Sequence, residues 1–87
     1  MKEKLLKQIE QMISVIYSVD KAKLDENFTE LIDCLIKAID EEYIPVNENF
    51  NDILIKIQMA YEKKDLVELA DLLLYQLKEF CEENLNE

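Results

Sequence analysis

A chain of 87 residues with no Gly, one Pro, no His and a formal net charge of −10 has several functions closed to it. The acidic balance opposes binding to nucleic acid or anionic lipid, which both need a basic footprint. Without His there is no imidazole base, no Ser-His or Cys-His pair and no Glu-x-x-His set for a di-iron carboxylate bundle, and without Gly, phosphate-cradling loops and tight hairpin turns are disfavoured.

Apolar residues recur at helical rather than alternating spacing, so the fold class is all-α and the chain reads as a single domain, 1–87. The first helix is predicted over about residues 2–18, with Leu5, Ile9, Met12, Ile16 and Val19 as its central stripe. Leu6, Ile13, Val15 and Tyr17 widen that stripe, as expected of a helix packed against two neighbours. Asp20–Glu26 is polar and forms the first connection, anchored by Leu24. Asn27 followed by Glu30 marks the start of a second helix over about 27–43, with a start at Asp20 as the alternative. Its face is Phe28, Leu31, Ile32, Leu35, Ile36, Ile39 and Tyr43, and Pro45 stops it by removing a donor and pushing Ile44 out of the helical region.

Asn47 or Asn49 caps a third helix, about 49–63, with Phe50, Ile53, Leu54, Ile57 and Tyr61 inward. The fourth helix, about 66–84, carries the most apolar run in the chain. Asp65 followed by Glu68 is its start signal, and Leu66, Leu69, Ala70, Leu73, Leu77, Phe80 and Cys81 repeat at three and four residues. Four rods with short connections close most simply as an antiparallel up-down-up-down four-helix bundle. Acidic residues crowd the C-terminal ends of helices two and four, and Lys2, Lys4 and Lys7 open helix one. In that topology all three ends share one pole, where the lysines offset the carboxylates.

Along Ala60–Leu77, AYEKKDLVELADLLLYQL, the residues Ala60, Glu62, Asp65, Leu69, Ala70, Asp71, Leu72, Leu73 and Tyr75 form a pattern. Through it the chain resembles a family of small uncharacterised all-helical domains from clostridia and bacilli. Asn27-Phe28 with Leu31-Ile32-Asp33 is similar more weakly, while Leu74 and Gln76 stand where that pattern expects acidic residues. The resemblance implies a bacterial helical bundle and no established activity.

No stretch approaches ~20 consecutive apolar residues, so membrane insertion is not expected. The opening residues lack a signal-peptide pattern, and two cysteines make no disulfide framework, so a reduced, cytoplasmic setting is expected. Cys81 projects to the core face of helix four and Cys34 to the flank of helix two. Both read as small core hydrophobes, against a redox or metal role that two thiols without His do not complete. No enzyme activity, cofactor or small-molecule substrate is expected.

The remaining oddity is apolar residues off the core stripe. On a regular helical wheel Leu72 and Tyr75 fall on the far side of helix four, beside Glu68 and Glu79, and Ile55 and Met59 fall likewise on helix three. These residues read either as wrapping of a small core or as a contact surface for a protein partner or a homo-oligomer. The preferred expectation is an interaction module that uses this outer face of helices three and four. The alternative is an acidic chaperone or inhibitor that takes a basic protein segment on the pole formed by Asp40, Glu41, Glu42, Glu82 and Glu83.

Overall fold

The computed structural model describes residues 2–18 and 21–85. Val19 as the end of the first stripe, Asp20 as an alternative helix start, and Glu87, one of the acidic residues expected at the end of helix four, lie outside those residues. Within them the chain forms four helical rods and no strand: α1 (Lys2–Tyr17), α2 (Leu24–Asp40), α3 (Glu48–Glu62), and a fourth rod in which α4 (Leu66–Asp71), a π-helical segment (Leu72–Leu77) and α5 (Lys78–Asn84) follow without a break.

The last two starts follow their caps. Asn47 accepts a hydrogen bond from the Phe50 amide at 2.9 Å, and Asp65 accepts one from the Glu68 amide at 3.2 Å, each satisfying a donor that the helix itself leaves free. The second start differs from the sequence expectation. Asn27 does not cap α2; it lies inside the first turn, its backbone amide and its Nδ2 both donating to the Lys23 carbonyl, at 2.9 and 3.1 Å. Its side chain is buried, and Oδ1 has no hydrogen-bond partner.

The end of α2 also comes earlier than Tyr43. Glu42 takes a φ of 62°, the Glu42 amide donates to the Ile39 carbonyl and the Tyr43 amide to the Ala38 carbonyl. These paired bonds are a Schellman motif, which closes the helix through one left-handed residue. The α3 end repeats it, with Lys64 at φ 57° and the Lys64 and Asp65 amides bonded to Tyr61 and Ala60. A chain without Gly builds both turns from side-chain-bearing residues, at a conformational cost.

α1 packs along α2 and the whole fourth rod, while α3 packs on α4 and the π segment. The start of α1 lies at the end of α5, where Lys2 Nζ donates to the Glu82 carbonyl at 3.0 Å. It also lies near the end of α2, since Lys4 and Lys37 line one cleft. At the other pole Tyr61 of α3 reaches Asp25 of α2. These contacts define the expected up-down-up-down bundle. Lys78 pairs with Glu10 at 3.1 Å, and Gln8 donates to Glu30 at 3.0 Å, across the flanks of α1.

Leu5, Ile9, Met12, Leu31, Phe50, Ile57, Leu69, Leu73 and Leu77 fill the centre, and Phe50 stacks on Phe80 with ring centroids 5.2 Å apart. Burying each such side chain contributes about 1.5–3 kcal/mol before the entropy of ordering it is subtracted.

Candidate partner-binding groove

The core face of α2 is not the stripe expected from its largest apolar residues. Leu24, Asn27, Leu31, Cys34, Leu35 and Ala38 are buried, whereas Phe28, Ile32, Ile39 and Tyr43 are only partly buried and Ile36 is 50% exposed. Cys34, expected on the flank, belongs to the core and sits beside Lys4 and Gln8 of α1. A small side chain here lets the two backbones approach closely. On its other flank α2 carries Phe28 and Ile32, and α3 presents Leu54 and Tyr61; α2 and α3 make no backbone approach comparable to that of the other neighbouring rods.

The result is an open groove of about 480 Å³. Its walls are Phe28 and Ile32 from α2, and Leu54, Ile57 and Tyr61 from α3, with Gln58 and Glu62 as the polar residues at its edge. One end is tied shut. Tyr61 stacks on Phe28 with centroids 3.8 Å apart, its hydroxyl donates to Asp25, and Lys64 Nζ lies 4.5 Å from the Tyr61 ring centroid and 3.7 Å from Asp25 Oδ1.

The outer face expected on helices three and four does not assemble as read. Leu72 is 5% exposed and belongs to the core, a correction that follows from the π segment. The Lys78 amide donates to the Leu73 carbonyl, five residues back, so the hydrogen-bonded loop here spans one residue more than in an α-helix and the winding is wider. Leu72 and Leu77, five apart, then share the inward face, and both are buried. Tyr75 remains 66% exposed, but it lines a different cleft, with Glu79 of its own rod and Asn49 and Ile53 of α3. Ile55 and Met59 are exposed on α3 without lining that cleft, and Glu68 is exposed.

Asp40, Glu41, Glu42, Glu82 and Glu83, expected to form an acidic pole, are all exposed. Among the described residues no three His, Cys, Asp or Glu side chains are grouped to hold a metal ion. Cys34 and Cys81 are free and buried. Burial pushes the Cys34 thiol up, against the opposing influence of Lys4, Lys37 and the N-terminal amine. Burial, with help from Cys34 and Glu82, pushes the Cys81 thiol up to about 12. Protonated thiols are poor nucleophiles and poor metal ligands.

In class, then, the molecule is a small acidic four-helix bundle with an unclosed apolar seam between α2 and α3, and no helix among its described residues is long and apolar enough to cross a membrane. The chain belongs to the family described as Domain of unknown function (DUF8042), whose model matches residues 1–87. The resemblance read along Ala60–Leu77 therefore extends over the whole length. No curated protein and no solved structure matches the chain.

The sequence pattern does not set the groove apart, because Phe28, Ile32, Leu54, Ile57 and Tyr61 all fall at core spacing. The available signal was excess: with Leu24, Leu31, Leu35 and Ala38 already at core spacing, Phe28, Ile32, Ile36 and Ile39 widen the apolar face of α2 well beyond what one neighbour covers.

Proposed function

We propose that this chain is a non-catalytic interaction module that receives one apolar helix of a partner protein in the α2–α3 groove. The observation that carries the reading is the seam itself: aromatic and aliphatic walls left open between two antiparallel rods. The groove's lining spans about one turn of α2, from Phe28 to Ile32, and about two turns of α3, from Leu54 to Glu62, and an amphipathic helix laid into an apolar groove is a recurrent mode of recognition. A second copy of the chain is the poorer occupant, because each copy carries a net charge of −10. The outer-face reading loses Leu72, and Tyr75 no longer adjoins Ile55 and Met59 in one cleft.

The test is a backbone amide titration with a synthetic amphipathic helical peptide as probe. Shifts should centre on Phe28, Ile32, Leu54 and Tyr61, vanish in Leu54→Glu and persist in Tyr75→Ser. Shifts centred on Tyr75 or on Glu41 and Glu82 would overturn the reading, as would none at all.

A further inference from the structure

The tied end of the groove holds a cation already, and it belongs to the protein. Lys64 Nζ sits over the Tyr61 ring at 4.5 Å and beside Asp25 Oδ1 at 3.7 Å, while Phe28 stacks on the same ring. With Phe28 against one face, the ammonium takes the other. Ring and carboxylate together are a cation seat, because the negative π-face and the carboxylate attract the same charge.

Its present tenant is loosely held. The Lys64 side chain is exposed, as is that of Asp25, and an exposed pair of this kind is screened by water and salt. Lys64 also follows the last turn of α3 in a left-handed conformation, so its side chain leaves without disturbing the helix. The groove's own lining offers the same sign: among the described residues its one charged residue is Glu62 on α3, and Lys37 lies beside the α1 cleft instead.

Resting on the groove reading, we infer that the occupant is a basic amphipathic helix, and that one of its Lys or Arg side chains replaces Lys64 on Tyr61 and Asp25. Lys64 is thus an internal competitor that marks where the partner's cation goes. The apolar walls supply contact area, and the cation seat fixes register and direction along the groove. Arg is the better fit, since its planar guanidinium stacks on the ring and still donates to the carboxylate.

Two probes decide this: an amphipathic helical peptide with a Leu face bordered by Arg, and the same peptide with each Arg replaced by citrulline, which keeps the shape and removes the charge. Binding is followed by fluorescence anisotropy, and its location by amide shifts at Ile32 and Leu54. The Arg peptide should bind roughly tenfold more tightly than the citrulline peptide, the scale of one well-placed charge contact. Lys64→Gln should tighten the Arg peptide about threefold and leave the citrulline peptide unchanged. Asp25→Asn should weaken only the Arg peptide.

Equal binding of both peptides in the groove would overturn the cation seat while leaving the groove as the site. Weaker or unchanged Arg-peptide binding in Lys64→Gln would overturn the competitor role. If neither peptide moves the groove signals, or if light scattering shows the groove covered by a second copy, the groove reading falls and this inference with it.

Discussion

Tyr61 lies flat on Phe28, the ring planes 5° from parallel and the centroids 3.8 Å apart, and its hydroxyl donates to Asp25 one helical turn earlier on α2. One α3 side chain thus holds α2 at two points where the backbones themselves stand apart. The stack closes the end of an otherwise open seam, so fold and candidate site depend on the same pair. Phe28→Ala, Tyr61→Ala and the double variant should show a coupling of about 1 kcal/mol in urea unfolding, typical of a stacked aromatic pair. Tyr61→Phe should cost less than ~1 kcal/mol, because Asp25 faces water. Strict additivity of the two Ala variants would mean that the rings touch without binding α2 to α3.

The π segment makes an opposite pair of Leu72 and Tyr75. Regular winding would set these two, three residues apart, near one another; the wider π winding drives Leu72 inward and leaves Tyr75 outside. Leu72→Ala should therefore destabilise by about 2–4 kcal/mol, the range for truncating a buried Leu. Tyr75→Ala should stay within ~0.5 kcal/mol. Equal, small effects at both positions would show that the rod is regular α-helix in solution and that Leu72 faces water.

Sequence reading and structure agree best where one residue type forces the outcome. Asn47 and Asp65 cap where their short polar side chains predict. They part where the periodic ruler itself changes. A π turn leaves no mark on composition, so a uniform wheel sends Leu72 to the wrong side. They part again on α2, where a ranking by hydrophobicity favours Phe28 and Ile32 over Cys34 and Ala38. Close backbone approach to α1 favours the small residues instead, and the large ones are left to line the groove. α2 ends before Tyr43, where the sequence predicts its stop, because a left-handed Glu42 is an unfavourable choice that no pattern in the sequence announces.

That choice has a measurable cost. Glu42 holds a φ of 62° with an exposed side chain, in the position of a Schellman motif that Gly fills most easily. Glu42→Gly removes the clash of Cβ with the following carbonyl and takes one charge from the acidic pole. The protein should gain about 1 kcal/mol, read as a higher urea midpoint at unchanged m-value. Lys64→Gly is the less clean comparison, because Lys64 also contacts Tyr61 and Asp25. No gain in Glu42→Gly would mean that the turn relaxes to ordinary φ in solution.

Cys81 links the core to pH. Burial, reinforced by Cys34 and Glu82, lifts its thiol from the ordinary 9.0 to about 12. The folded state therefore keeps its proton where the unfolded chain has begun to lose it. The resulting stabilisation is full below pH 9 and fades as pH climbs toward 12, because above pH 9 the unfolded state binds fewer protons than the native one. The informative quantity is the difference between the parent protein and Cys81→Ala under reducing conditions, which isolates this thiol. At pH 8 the parent should be the more stable, since Ala leaves a gap where the sulfur packed. Between pH 9 and 10 that advantage should shrink by about 1 kcal/mol, close to the ~1.4 kcal/mol per pH unit that one proton sets as the limit. Parallel curves for the two proteins would show that water reaches Cys81 and that the end of the bundle near α5 is looser than the packing around Phe80 and Cys81 implies.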